Sequence, residues 1–327
     1  MLILNADEIQ KALSMRELIE AMKKAYASLS NGEADVPLRT RLPIPAHNGL
    51  SLFMPAYVGG DSEALAVKIV SLFPGNPQRG LAYIQAAVLV FEPKTGQATA
   101  LLEGSTLTAL RTGAGSGAAI DLLARKDSKT AAIFGAGIQG RAQLEAACTV
   151  RQIEKAWVYD PDMERASIFT KELAGRGRIP HDLQPASTSQ EAVRDADIVC
   201  TATTSRMPVF ADADIKSGAH ISAIGSYTPD MVEVPPDTIR RARLFVDSCS
   251  AVLAETGDLI HPITNGQVLK SQIAELGEVL LGRKPGRETE SEITYFKSVG
   301  VAVQDAIAAQ LAVMNARKLG LGLDISF

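Results

Sequence analysis

The stretch that decides the fold is AAIFGAGIQGRAQLEAA, residues 131–147. A short apolar run leads into Gly135, Gly137 and Gly140, spaced G-x-G-x-x-G, and a helical pattern follows. The first glycine permits a tight turn, the second lets a pyrophosphate approach the backbone, and the third lets the helix pack on the strand. The N–H groups that open the helix favour an anion. The stretch therefore predicts a strand–turn–helix unit that binds a dinucleotide.

An acidic residue in the expected place strengthens this prediction. The next strand-like run, KAWVYD, ends in Asp160, where a carboxylate can hold the two hydroxyls of the adenosine ribose. Because a carboxylate repels a 2′-phosphate, NAD is favoured, although Arg165 or Arg141 leaves NADP open. The candidate cofactor-binding residues are Gly135, Ala136, Gly137, Ile138, Gln139, Gly140, Asp160, Thr201, Ala202, Thr203 and Gly225.

Strand and helix patterns alternate from this unit to about residue 295. Apolar runs such as IVCTAT, GAHISAIG and ARLFVD are interleaved with helical segments such as MERASIFTKELAG. Buried strands that alternate with helices predict a parallel, doubly wound sheet, the Rossmann arrangement.

The residues before the glycine-rich unit follow a different pattern. SMRELIEAMKKAYASLSNGE predicts a helix with Ser14 as N-cap, Glu17 three residues later and Gly32 as its stop. Short strand-like runs follow up to residue 105, and FEPKTGQATA predicts a hairpin, so a mainly antiparallel sheet is expected. The last segment, SVGVAVQDAIAAQLAVMNARKLGLG, predicts a long helix that returns to this first domain.

The predicted fold is therefore α/β and has two domains. A Rossmann domain over residues 113–299 is inserted in a discontinuous α+β domain formed by residues 1–112 and 300–327. A third helix pattern, rich in glycine and alanine, covers about residues 105–125 near the join.

Composition excludes several classes of protein. Of 327 residues, 46% are hydrophobic and 21% charged, and the net charge is −4, so no basic footprint for nucleic acid exists. No apolar run is long enough for a membrane span. Cys148, Cys200 and Cys249 are scattered, as are the four histidines. We therefore expect no disulfide framework and no metal site, and reduced cysteines in a cytoplasmic protein.

Three cations among apolar residues of the first domain are candidates for a substrate site. Lys68 lies mid-strand in LAVKIVS, where burial is costly without a partner. Arg39 and Arg111 lie in PLRTRLP and TALRTGAG. Each alone could be a surface charge or an ion-pair partner. If they converge, they form an anion pocket with arginine forks suited to a carboxylate, but spacing alone does not establish convergence.

Several strings together resemble the ornithine cyclodeaminase/mu-crystallin family over nearly the whole chain. These strings are MPAY, VKIVS, LTALRTGA, IFGAGIQG, AIGSYTPDM, VDS, AELGEV and YFKSVGVAVQD, with RT at Arg39. The resemblance implies a Rossmann domain inserted in a substrate-binding and dimerisation domain, and hence a homodimer. It also implies that Arg39, Lys68 and Arg111 hold the carboxylate of an α-amino or α-imino acid.

Two departures from the cyclodeaminase pattern favour another branch of the family. Leu52 replaces a glutamate, and the loop GSYTPDM has Tyr227 near the position of a catalytic aspartate, with Asp230 three residues further on. The leading hypothesis is an NAD(P)H-dependent reductase of a cyclic ketimine such as 1-pyrroline-2-carboxylate. The alternatives are ornithine cyclodeaminase, an alanine dehydrogenase-like enzyme and a crystallin-type cofactor binder without activity.

Reduction of an imine needs a carboxylate clamp, a hydride and one proton donor. We expect Lys68 to be the catalytic donor, because neighbouring arginines would lower its pKa. His47 is a second candidate donor, and water a third.

Overall fold

A computed structural model describes residues 1–60 and 63–326 of the chain. The helices are α1 (Ala6–Ala12), α2 (Met15–Ser30), α3 (Gly104–Leu123), α4 (Ile138–Val150), α5 (Met163–Leu173), α6 (Ser189–Val193), α7 (Pro236–Arg241), α8 (Cys249–Glu255), α9 (Gly257–Thr264), α10 (Leu276–Leu280) and α11 (Ala302–Leu319). The strands are β1 (Leu2–Leu4), β2 (Ala34–Asp35), β3 (Thr40–Ile44), β4 (Gly49–Val58), β5 (Ala64–Leu72), β6 (Ile84–Phe91), β7 (Ala98–Glu103), β8 (Thr130–Phe134), β9 (Lys155–Tyr159), β10 (Asp182–Pro185), β11 (Ile198–Thr201), β12 (His220–Ala223), β13 (Arg243–Val246), β14 (Ile273–Glu275), β15 (Thr294–Lys297) and β16 (Leu323–Asp324).

The chain divides into two compact units, which we call the outer unit and the inserted unit. The outer unit comprises Met1–Arg111 and Val301–Phe327, and the inserted unit comprises Thr112–Gly300. Phe327 itself lies outside the described residues. The α/β fold class is confirmed, since one sheet is mainly antiparallel and the other is parallel.

The outer unit is an eight-stranded sheet in the order β16-β1-β7-β6-β5-β4-β2, with β3 also paired to β4. The strands pair antiparallel except β1 with β7. The predicted helix is confirmed as α2, which has Ser14 as its N-cap accepting from the Glu17 N–H. The predicted hairpin is also confirmed, with its turn closed by the Gly96 N–H and the Glu92 carbonyl.

One face of this sheet is buried beneath helices. Side chains alternate along β4 and β5, so that Leu52, Met54, Ala56, Ala66 and Lys68 point to the buried side. Helix α11 packs on both strands and on α2. Its buried positions are largely alanine, which lets the helix backbone approach the sheet closely.

The inserted unit is a parallel sheet in the order β10-β9-β8-β11-β12-β15-β13-β14. The order reverses at β8, from which the chain moves first towards β9 and later towards β11. In such sheets a crevice forms outside the carboxyl ends of the strands at that point. The hydrophobic core of the inserted unit includes Ile133, Leu144, Val158, Phe169 and Ile198.

Within residues 1–60 and 63–326, no helix is both long and apolar enough to cross a membrane. Nor do three or more His, Cys, Asp or Glu side chains in these ranges come together as a metal site would require.

Candidate active site

Lys68 is buried in the middle of the outer sheet. It lies on β5 directly between Met54 of β4 and Val88 of β6, so its strand is not at an edge. Only 2% of the residue is exposed. The Lys68 ammonium is 2.6 Å from a carboxylate oxygen of Asp305 on α11. The partner that a buried lysine requires is therefore supplied by the last helix of the chain.

Asp305 joins Lys68 to Arg111. Its second oxygen accepts a hydrogen bond from Arg111 Nε at 2.8 Å, while Arg111 Nη1 donates to Gln304 Oε1 at 3.1 Å. Gln304 is fixed in turn, since its amide donates to the Tyr26 hydroxyl at 2.7 Å. We call Lys68, Arg111 and Asp305 the cationic cluster. Two cations and one carboxylate leave it with a formal charge of +1.

The charge states of the cationic cluster follow from burial and from the neighbouring charges. Burial lowers the pKa of Lys68 to about 7; Asp305 opposes this effect, and Arg111 and Arg39 add to it. We expected the arginines to be the main cause, but loss of hydration is larger. Burial alone would raise the pKa of Asp305, yet Arg111 and Lys68 keep it below its ordinary value. Asp305 therefore remains ionised, whereas Lys68 can exchange a proton near neutral pH.

The other predicted residues of the outer unit differ in their placement. Arg39, half-buried just before β3, is close enough to lower the pKa of Lys68. His47 is exposed in the turn Pro45–His47 and lines a cavity of about 340 Å³ with Ser71 and Arg79. That lining does not include Lys68 or Arg111. The structure thus brings Lys68, Arg111 and Arg39 together and leaves His47 apart from them.

In the inserted unit, the glycine-rich segment joins β8 to α4. Gly135 has φ of 101°, and a Cβ there would lie 2.6 Å from the Ala202 carbonyl oxygen. A Cβ at Gly140 would lie 2.1 Å from the Gly135 carbonyl oxygen. A Cβ at Gly137 would meet only the end of Arg165, at 3.9 Å. Two glycines are thus required by packing, and the third leaves open space at the N-terminus of α4, where a phosphate would fit.

A cleft of about 800 Å³ extends beside this segment. Among the predicted residues, it is lined by Gly135, Gly137, Asp160, Ala202 and Thr203. The predicted residues that do not line it are Ala136, Ile138, Gln139, Gly140, Thr201 and Gly225. Ile138 and Gln139 begin α4, and Thr201 ends β11.

Asp160 lies at the end of β9, with only 9% of the residue exposed. Its carboxylate accepts hydrogen bonds from the Ala136 N–H at 2.9 Å and from the Asp162 N–H at 3.0 Å. The carboxylate therefore braces the glycine-rich loop as well as facing the cleft. Arg165, also in the lining, comes within 3.9 Å of Asp160. The residues present fit a dinucleotide with its adenosine end at Asp160.

The family follows from comparison with known proteins. Residues 1–319 match the sequence profile of the ornithine cyclodeaminase/mu-crystallin family. The chain belongs to that family. A delta(1)-pyrroline-2-carboxylate reductase from Bacillus cereus is 40% identical over 329 residues, which cover 100% of each chain.

Two solved structures are also similar to this chain. Thermococcus litoralis delta(1)-pyrroline-2-carboxylate reductase, in complex with NADH and L-proline, is 46% identical with a TM-score of 0.94, covering 99% of this chain and 100% of its own. An archaeal alanine dehydrogenase dimer with bound NAD is 31% identical with a TM-score of 0.91, covering 100% and 99%.

Two charged residues at these sites were not predicted from the sequence. Asp305 lies in the segment SVGVAVQD, and its signal was an acid within an apolar helix. Glu233, in MVEVPP, is buried and binds Thr203 and Gly225, two of the predicted cofactor residues. Charged residues inside apolar runs were the common signal, and it was recognised for the cations Lys68, Arg39 and Arg111 but not for these two acids.

Proposed function

We propose that this protein is an NADH-dependent oxidoreductase that reduces a cyclic ketimine, most concretely 1-pyrroline-2-carboxylate, to the corresponding cyclic amino acid, proline. The observation that carries the proposal is the cationic cluster, which is buried, has a formal charge of +1 when Lys68 is protonated, and contains this lysine with a pKa of about 7. The Thermococcus litoralis relative, whose structure is in complex with NADH and L-proline, supports this substrate and cofactor.

The substrate carboxylate balances the cationic cluster. An excess positive charge is costly to bury, and a bound carboxylate removes that cost. Arg111 keeps one terminal nitrogen available for the carboxylate, because Nη2 has no hydrogen-bond partner among the described residues, while Nε and Nη1 are held by Asp305 and Gln304. Arg39, half-buried, completes the clamp from the start of β3.

Lys68 donates the proton in this mechanism. When bound, NADH supplies the hydride that the imine carbon receives, and the ring nitrogen gains a proton. A donor with a pKa of about 7 is partly protonated at neutral pH and releases its proton readily, which is the property of an efficient general acid. Solvent then restores the proton to Lys68. His47 is disfavoured because the cavity that it lines does not include Lys68 or Arg111.

The cleft of the inserted unit holds the cofactor in this proposal, and the outer unit holds the substrate. Gly137 and the N-terminus of α4 take the pyrophosphate, and Asp160 takes the adenosine ribose. NADH is preferred because Asp160 repels a 2′-phosphate, while Arg165 at the edge of the cleft leaves room for weaker use of NADPH.

The runner-up function is ornithine cyclodeaminase, and three features count against it. Leu52 is a buried apolar residue on the same sheet face as Lys68, and Tyr227 is a phenol where the cyclodeaminase pattern has a carboxylate. Asp230 is exposed, and its pKa is lowered by the Thr228 hydroxyl and by Arg206. It is therefore a weak base.

We also propose that the protein is a homodimer formed through the open face of the outer sheet. That face carries Phe53, Tyr57, Val67, Ile69 and Leu89, and Ile69 is 39% exposed. A solvated sheet face usually carries polar side chains, so an apolar one favours a partner. Light scattering should give a dimer for the unmodified chain and for Met314→Arg on α11, but a monomer for Ile69→Arg. A stable monomer of the unmodified chain at micromolar concentration would exclude this assembly.

The three cysteines, Cys148, Cys200 and Cys249, are all free thiols. Free thiols suit a reducing compartment, and we propose the cytoplasm.

The decisive experiment compares the activity of the protein towards two substrates, a cyclic imine and ornithine. We expect rapid NADH oxidation with 1-pyrroline-2-carboxylate or its six-membered homologue, and near-background ammonia release from ornithine with catalytic NAD. A missing general base lowers a rate by about 10²–10⁴-fold, so the contrast should be large. Ammonia release without imine reduction would establish the cyclodeaminase instead. Cofactor binding with neither reaction and no alanine oxidation would support the crystallin-type alternative.

A further inference from the structure

A second group of buried charges lies in the inserted unit, which we call the acidic cluster: Glu233, Asp258 and Lys297. None of the three is more than 1% exposed. The Lys297 ammonium is 3.2 Å from one Asp258 oxygen. The other oxygen accepts hydrogen bonds from the Glu233 N–H at 2.7 Å and the Val234 N–H at 3.2 Å. Two carboxylates and one ammonium give this cluster a formal charge of −1.

The Glu233 carboxylate joins the loops that follow β11 and β12. One oxygen accepts from the Thr203 N–H at 2.7 Å and the Thr203 hydroxyl at 2.9 Å. The other accepts from the Gly225 N–H at 2.7 Å and the Ser226 N–H at 3.1 Å. The loops approach so closely that a Cβ at Gly225 would lie 2.1 Å from the Thr203 carbonyl oxygen.

These contacts determine the charge state of Glu233. The pKa of Glu233 is raised above its ordinary value, chiefly by burial and further by Asp258, although Lys297 and Thr203 oppose the rise. All four hydrogen-bonding groups donate to the carboxylate, and three of them are backbone N–H groups that cannot accept. The arrangement therefore fits the ionised form, which accepts at both oxygens.

The position of the acidic cluster along the sheet gives it a function. Asp160 marks the adenosine end of the cleft at β9, and a dinucleotide in a doubly wound sheet extends across the switch point to the far strands. The nicotinamide end then falls beside the loops after β11 and β12. Thr203 lines the cleft, and Glu233 lies directly behind it. This placement rests on the proposed function, since it requires that the cleft binds NAD.

We propose that the acidic cluster favours the oxidised nicotinamide ring over the reduced one. The oxidised ring carries a positive charge and the reduced ring is neutral, so a fixed negative charge nearby stabilises only the oxidised form. Positive charge develops on the ring as hydride leaves, and the cluster thereby promotes hydride donation. Lys297 offsets one of the two carboxylates and keeps the excess at a single charge.

The test measures dissociation constants for NADH and NAD⁺ without substrate, by NADH fluorescence and by competition. Glu233→Gln and Asp258→Asn remove negative charge, and each should weaken NAD⁺ relative to NADH by about tenfold. Lys297→Met removes the positive charge, and should shift the ratio in the opposite direction. A purely structural role would weaken both nucleotides together and would not reverse sign.

Asp197→Asn is the matched control. Asp197 is also buried, but it precedes β11 at the amino end of the sheet, where it accepts hydrogen bonds from the Lys129 and Thr130 N–H groups. This variant should lose stability and keep the ratio within about twofold. If Lys297→Met does not fold, the two carboxylate variants decide the matter. An unmoved ratio in both would overturn this inference alone, whereas an unmodified protein that binds neither nucleotide would overturn the proposed function with it.

Discussion

The cationic cluster of the outer unit and the acidic cluster of the inserted unit are built from the same kinds of group. Each combines buried carboxylate with buried ammonium or guanidinium groups, and each contains three charged side chains. The first is left with +1 because Asp305 pairs with two cations, and the second with −1 because Lys297 pairs with Asp258 alone of the two carboxylates. Structural ion pairs usually balance, because uncompensated buried charge is costly.

The residual charge of each cluster therefore indicates the charge of the ligand that suits each unit. A residual positive charge suits a carboxylate, and a residual negative charge suits an oxidised nicotinamide. The two clusters also differ in what they hold. Asp305 fixes side chains that would contact a ligand, whereas Glu233 fixes backbone loops that would contact one. Variants that alter one charge at a time should separate these two roles.

The largest effect should come from removing the proton donor. Lys68→Met leaves the cationic cluster neutral and takes away the group expected to protonate the imine. We expect kcat to fall by about 10²–10⁴-fold, with little change in the dissociation constant for NADH. Steady-state kinetics with the cyclic imine and NADH titration would measure both quantities. Lys94→Met, at an exposed position in the hairpin turn, serves as control, and an equal kcat in the two variants would remove Lys68 from the mechanism.

A smaller effect is expected where the charge is kept and the geometry is lost. Arg111→Lys preserves the +1 charge but loses the planar fork, and the KM for the imine should rise by roughly 10–100-fold, as loss of a charged hydrogen bond costs about 1.5–3 kcal/mol. Arg39→Lys should raise it less, because Arg39 is only half-buried. Arg41→Lys, two residues away and exposed, is the control. Equal small changes in all three variants would mean that neither Arg39 nor Arg111 holds the substrate carboxylate.

The sequence predicted local features better than it predicted which distant side chains come together. Helix α2, the hairpin before β7 and the glycine-rich turn each depend on residues a few positions apart, and their signals are capping and turn residues. The pairing of Lys68 with Asp305 depends on α11 packing across β5, between residues 237 positions apart. The acidic cluster likewise gathers residues from a loop, a helix and a strand. Periodicity indicates which face a side chain takes, but not which distant residue meets it.

In the inserted unit, a change of about tenfold is expected in the preference for NADH over NADPH. Asp160→Ser removes the carboxylate that would hold the ribose hydroxyls and repel a 2′-phosphate, so the preference for NADH over NADPH should fall by at least that factor. Because Asp160 also binds the Ala136 N–H, some loss of affinity for both cofactors should accompany it. The measurement is kcat/KM with each cofactor, with exposed Asp182→Ser as control. A tenfold preference of the unmodified enzyme for NADPH would contradict this role.

The smallest effect should be a displaced pH dependence, which tests how Asp305 acts on Lys68. The donor must be protonated, so kcat/KM should fall as pH rises through about 7, the pKa of Lys68. Asp305 raises that pKa against the effect of burial. In Asp305→Asn the inflection should therefore move to lower pH, and the rate at pH 7 should drop about fivefold for the first unit of displacement and about tenfold for each further unit. An inflection that stayed in place would mean that Asp305 only fills space.

A stability measurement checks the same pKa without relying on turnover. Lys68 titrates near 10.5 when unfolded and near 7 when folded, so between these values the unfolded chain binds more protons. The contribution of Lys68 to the free energy of unfolding should then rise with pH from about 7 to 10.5. Lys68→Met should lack both this rise and the kinetic inflection, since it has no group to titrate. Denaturant unfolding at several pH values would compare the two proteins, and parallel curves would show that Lys68 keeps an ordinary pKa in the fold. In that case the +1 charge of the cationic cluster would serve only to bind the carboxylate, and the proton would have to come from another group.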